Sequence, residues 1–190
     1  MDREQAFAIV REYVKNDNLI SHMLAVESAM AFYAVVLGQS EATWRVTGLL
    51  HDFDWEIHPT AEAHPLEGAP ILREKGVPDE IIHAILAHGS HLQIPRVTLL
   101  EKGLYACDEI TCLITAVALV RPSRSLYDLE VSSVKKKWKD KAFAAGANRE
   151  EIARGVEEFG VPLWEHCENV IRAMRTIAPE LKLEGNIQPS

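Results

Sequence analysis

Cysteine is scarce in this chain. Cys107, Cys112 and Cys167 are all there are. An odd number without paired spacing provides no disulfide framework, so packed, reduced thiols are the expectation. Basic residues are outnumbered, with 20 Lys and Arg against 28 Asp and Glu, for a formal charge of −8. A surface of that sign repels nucleic-acid backbones and anionic membranes. Neither a nucleic acid duplex nor a membrane is therefore an expected partner. A small phosphorylated molecule stays open, because a bound divalent cation reverses the local field. No apolar run approaches the roughly 20 residues of a membrane span. The N-terminal MDREQAFAIVREY mixes charges into its apolar residues, unlike a signal peptide. A cytoplasmic location is the expectation. Repeats, low-complexity tracts and strand-like alternation are also missing.

What is present suffices for one sizeable core: 190 residues, of which 47% are apolar. The apolar spacing is helical almost throughout. Ala6, Ile9, Val10, Tyr13 and Val14 define a first helix, and a second runs from about Leu19 to Leu37, ahead of Gly38. Ser40 caps a third, which ends near His51-Asp52. Residues 53–65 read as loop. Further helices are expected up to Lys75, from Pro78 to about His88, and from about Leu99 to Leu119, where Arg121-Pro122 stops the last. Beyond 122 the character changes. Five lysines (Lys135, Lys136, Lys137, Lys139 and Lys141) surround Trp138, and two more helices follow, from Asn148 and from Pro162. The expectation is an all-α fold, with residues 1–122 as core and 123–190 as a lysine-rich helical part packed on it.

The chemistry centres on His51-Asp52, an imidazole and a carboxylate adjacent at the end of an apolar helix. Around them stand His22 and Asp108 inside apolar helices, His64 at a helix start and His88 at a helix end. A buried carboxylate such as Asp108 needs a partner, and a cation is a good one. Histidine and carboxylate donors suit iron, manganese, zinc and similar cations. His91 competes with His88. His58, His83 and His166 read as surface or packing residues, and Cys107 and Cys112 as packing thiols.

In order, His22, His51-Asp52 and Asp108 resemble the core pattern of the HD-domain superfamily of metal-dependent phosphohydrolases. His64 and His88 occupy the places of the two extra histidines in its two-metal subset. The stretch Ala84 to His88 through Thr98 to Asp108 is similar to bacterial dinucleoside-tetraphosphate hydrolases of that superfamily. The Phe53-Asp54-Trp55 that follows the pair is closer to HD proteins without an assigned activity. The resemblance implies an HD-domain helical bundle with an appended C-terminal helical part. It also implies one or two divalent ions (Fe, Mn, Zn, Ni, Co or Mg), held by His22, His51, Asp52 and Asp108 and by Asp52, His64 and His88. The implied activity is hydrolysis of a nucleotide or other small phosphoester by a metal-activated water. Catalytic roles fall to Asp52 and to Asp54, or to Glu56, which would orient water or protonate the leaving group. Lys102, Arg121, Lys135 and Lys136 are the candidate phosphate-binding cations, with Arg124 and Lys137 beside them, and the lysine cluster reads as a solvated surface or a flap over the phosphate. A mixed-valent di-iron oxygenase with the same six ligands is the alternative, as is a non-catalytic ligand-binding module. A homodimer would fit exposed apolar helix faces.

Overall fold

The computed structural model describes residues 1–187, and among them there are nine α-helices, one 3-10 turn and no strand. The helices are α1 (Arg3–Tyr13), α2 (Asp17–Val36), α3 (Glu41–Leu50), α4 (Gly68–Glu74), α5 (Asp79–His88), α6 (Leu99–Leu119), α7 (Val131–Trp138), α8 (Arg149–Phe159) and α9 (Leu163–Arg175). Their starts are set by side chains that accept orphan N–H groups. Asp2 and Thr98 form capping boxes with Gln5 and Glu101. Asn16, Ser40 and Asn148 cap α2, α3 and α8.

Two long helices, α2 and α6, form the centre. α1 and α3 lie against one side, with α3 packed closely along α2, and α5 beside them. α8 packs on α6, and α9 packs on both α2 and α6. A single apolar cluster runs through all of this, from Ala6 to Leu183. Gly48 permits a close approach of two helix backbones. A Cβ there would meet the Glu27 backbone at 2.9 Å, so α3 can carry its end right up to α2.

α2 corrects one expectation. It is 20 residues long with a mean hydropathy of 1.6, which satisfies the length and composition of a membrane span. Most of it is buried inside the fold, the pattern of a helix surrounded on all sides by its neighbours. A second difference lies in the lysine cluster. Three of its lysines sit in the last turn of a true helix, α7, where cations complement the negative end of the helix dipole. Val134 of α7 is buried against α6 and α9, and Trp138 meets Trp164 edge-on. This is a packed helix, not a flap.

A buried polar tie joins the C-terminal helices to the centre. His166 Nε2 donates to the Ala106 carbonyl at 2.8 Å, and its Nδ1 accepts from the Tyr33 hydroxyl at 2.6 Å. Burial holds the imidazole neutral, with its pKa lowered from 6.5 to about 4. The unfolded chain binds a proton between those two values and the folded chain does not. Stability must therefore fall as pH drops from about 6.5 to about 4, by roughly 3 kcal/mol from this group. In His166→Gln, which keeps a donor for Ala106, urea unfolding across this window should lose that share of the slope. An unchanged slope would refute it.

Candidate metal centre

Four helices and one turn deliver six side chains to one pocket. His51 and His88 occupy equivalent positions, at the C-terminal ends of α3 and α5. Each ring uses Nδ1–H to satisfy a carbonyl three residues back, Gly48 for His51 at 2.8 Å and Ile85 for His88. Those carbonyls are orphans of the helix end, so the bonds fix both rings and leave both Nε2 atoms facing the pocket. His22 comes from the second turn of α2. Thr111 on α6 spends its hydroxyl proton on the Asp108 carbonyl at 2.8 Å, so its oxygen, 3.3 Å from His22 Nδ1, is left to accept. Cys112 Sγ lies 3.4 Å from the same nitrogen. His64 comes from the turns that follow α3, with Nδ1 held by Asp54 at 2.7 Å.

The result is four Nε2 lone pairs aimed inward in two pairs. His22 and His51 stand 3.1 Å apart, and His64 and His88 stand 3.3 Å apart. Two acceptors at that separation repel unless a proton or cation lies between them. The carboxylates complete each pair. Asp108 Oδ1 lies 3.1 Å from His22 and 3.5 Å from His51. Asp52 faces both ways. Its Oδ2 is 3.6 Å from His22 and 3.4 Å from His51, and its Oδ1 is 3.2 Å from His64 and 3.6 Å from His88. Two donor sets capable of holding a cation follow, His22–His51–Asp108 and Asp52–His64–His88. The donors are imidazole and carboxylate throughout, which fits borderline divalent metals.

The electrostatics agree. Burial alone would discharge these groups, yet Asp52 and Asp108 push His51 up to about 10. Against the same burial, Asp52 and Asp54 push His64 up to about 9. His22 is also raised, and Asp52 and Asp108 are held well below the ordinary carboxylate range by the imidazoles around them. Without a metal the pocket takes up protons in its place.

A family model described as HD domain matches residues 19–114, a span that opens just before His22 and closes just after Asp108. The chain belongs to the HD domain family. Curated relatives are ribonucleases Y. The protein from Nitratidesulfovibrio vulgaris is 34% identical over 97 residues, 50% of this chain and 18% of that protein. The one from Oleidesulfovibrio alaskensis is 31% identical over the same length and shares. That from Desulfotalea psychrophila is 29% identical over 144 residues, 70% of this chain and 26% of its own. This HD chain thus spans about a quarter or less of the relatives it matches. No solved structure gives a significant match. The expected kinship with dinucleoside-tetraphosphate hydrolases is replaced by these ribonucleases.

Several other expected residues lie elsewhere. Asp54 is fully buried behind His64 and touches it on the side away from the metal pocket, so it cannot reach a leaving group. Its Oδ2 has no hydrogen-bond partner among the described residues and sits where Gly68, at the start of α4, leaves room that a Cβ would fill. Glu56 accepts from the Lys15 and Asn16 N–H groups at 2.6 and 2.7 Å, which ties down the α1–α2 corner. Arg121 grips Asp128 and Ser133. Lys102 is six residues from Asp108, about 120° around the helix, and is felt by Glu158. Lys135 lies over the Trp164 ring, Lys136 is exposed, and Lys137 lies over Phe143. None of these contacts includes a member of the six. His91 is exposed and belongs to neither donor set.

Asp54 is better placed to orient His64 than to react. A carboxylate behind a ligand histidine fixes its ring and raises its basicity, and its loss costs about 10- to 100-fold in metal affinity. Asp54→Asn should weaken the second equivalent of Mn(II) by that factor in a metal titration and leave the first nearly untouched. Equal affinities for both equivalents in wild type and variant would contradict this placement.

Proposed function

We propose that this chain is a metal-dependent hydrolase of phosphate esters, acting in the cytoplasm on a nucleotide or other small phosphoester. The observation that carries this reading is Asp52, which turns one oxygen to each histidine pair. One carboxylate thereby sets the spacing of two cation positions. Cations bound there would lower the pKa of a water and offset charge developing on phosphoryl oxygens. The chain's own share is positional. His22, His51 and Asp108 fix the first position, and His64 and His88 the second. Asp54 keeps His64 in register. Buried residues of α3, α5 and α6 pack around these side chains.

The test is elemental analysis of protein purified without chelator, then turnover of nucleotides and phosphoesters with the metal found. Phosphate release that needs the metal and proceeds without O2 supports hydrolysis. Turnover only with O2, with a coupled Fe(II)/Fe(III) signal that changes with substrate, would establish the oxygenase instead. Absence of any bound transition metal would leave a ligand-binding module. A second reading, cleavage of RNA, draws on the name that the relatives carry. The charge of −8 opposes it. Cleavage of a single-stranded oligoribonucleotide in preference to mononucleotide esters would decide for it.

A further inference from the structure

We propose that a groove beside His22 is the subsite for the non-reacting part of a compact organic phosphate, about the size of one nucleotide. This deepens the hydrolase reading and rests on it for the position of the reacting phosphate. The groove has a volume of about 460 Å3, in the range of small-molecule sites. Three stretches remote in sequence build it: the first turns of α2 at Asn18 and Ser21, the later turns of α6 from Cys112 to Leu119, and a C-terminal segment, Leu181 to Leu183, with Arg124 beside it. Of the six convergent side chains, His22 is the one that lines it. The groove therefore adjoins the first cation position through His22, whose Nε2 faces His51 and Asp108.

Its chemistry is of two kinds. Ala116, Leu119, Leu181 and Leu183 offer aliphatic surface for a flat apolar body. Arg124 and Lys182 offer positive charge. Arg124 makes no side-chain hydrogen bond or ion pair among the described residues. Lys182 meets Asp17 at 3.0 Å, but both side chains are more than two-thirds exposed, so the pair exchanges readily. Two cations available at one groove are notable in a chain of charge −8.

The backbone points to the same two residues. Arg124 and Lys182 have φ of 51° and 57°, the left-handed region that glycine adopts without penalty. The surrounding chain holds them there. Leu126 N–H donates to the Leu183 carbonyl at 2.8 Å, and Asn186 N–H donates to the Ser123 carbonyl at 3.2 Å. Strain of this kind persists where the neighbouring structure enforces it and gathers at ligand clamps. Here long cationic side chains occupy two positions whose backbone would favour glycine, and both line one groove.

That coincidence supplies variants that should fold. Arg124→Gly and Lys182→Gly each remove a cation and relieve the backbone. Calorimetric titration of the manganese-loaded full chain with adenosine 5′-monophosphate, and separately with inorganic phosphate, is the measurement. The monophosphate should bind at least tenfold more tightly than phosphate. Each glycine variant should weaken it by roughly tenfold, without lowering the thermal midpoint. Equal affinity for the two probes, or variants that match wild type, would overturn the subsite. So would variants that weaken a single-stranded oligoribonucleotide but not the mononucleotide. The hydrolase reading fails separately: a protein that binds the mononucleotide through Arg124 yet hydrolyses no ester keeps the subsite and loses the reaction.

Discussion

Asp52→Asn should empty both cation positions and reduce phosphoester turnover by at least a thousandfold, with helicity nearly intact. Among the described residues, Asp52 is the one side chain whose oxygens reach both histidine pairs, Oδ2 towards His22 and His51 and Oδ1 towards His64 and His88. An amide of the same size cannot replace it. Its nitrogen carries hydrogens and no lone pair, so at least one pair loses its anionic donor. The remaining oxygen is neutral, which removes a full charge from a pocket whose affinity for a dication depends on it. A lost activated water forfeits the several kcal/mol that such an ion supplies, and about 4 kcal/mol corresponds to a thousandfold. Folding should survive, because the Asp52 backbone carbonyl still accepts from Trp55 N–H, and α3 is already closed by His51 on Gly48. Metal content by plasma emission, circular dichroism and turnover are the three readings. Two equivalents of metal retained in the variant, with turnover within tenfold of wild type, would remove Asp52 from its bridging place.

His51→Leu is the informative contrast. Leucine fills the same buried volume at the end of α3, but it removes only a donor to the first position. One equivalent of metal retained in that variant would locate it at His64, His88 and Asp52.

Much of this was readable in the sequence, and the boundary of what was readable has a physical cause. The helices follow from apolar periodicity and caps, and Asn16, Ser40, Thr98 and Asn148 cap as their residue types lead one to expect. The six candidate ligands were legible because each is a titratable side chain in an apolar context, at a helix end or inside a helix. The cations were misplaced for the opposite reason. A charge on a surface gives no sign of the direction it faces, and its partner is set by tertiary structure. Glu56 closes on backbone N–H groups some forty residues away. Lys135 lies over Trp164, and neither residue signals the other in the sequence. Asp54 reads from the sequence as part of the site, without the partner it takes there. Its spacing from Asp52 reveals proximity, and only the fold reveals that it stands behind His64. Lys182 carries no such signal, because a lone lysine in a polar tail has no pattern at all. The left-handed φ that marks it is invisible without coordinates.

Adding Mn(II) or Zn(II) to the metal-free chain should raise its thermal midpoint by roughly 5–10 °C and release protons. Stabilisation follows from binding to the folded state alone, about 2.7 kcal/mol for each position at a free-metal concentration a hundred times its dissociation constant. For a domain of this length each kcal/mol moves the midpoint by about 2–4 °C. The proton release follows from the pocket's own charges. At neutral pH the carboxylates keep imidazoles protonated, His51 up to about 10 and His64 up to about 9. A cation must displace those protons to reach the nitrogens. Affinity should therefore climb as pH rises from 6 towards 9 and fall below it, whereas a site made of carboxylates already free of protons would show no such dependence. Calorimetry in two buffers of different ionisation enthalpy reads the proton count directly. At pH 7 the heat should depend on the buffer, and in His51→Leu that dependence should shrink along with the stoichiometry. Buffer-independent heats, with no shift in the midpoint, would mean that the four converging Nε2 atoms are held apart by protein alone, and the case for a metal centre would go with them.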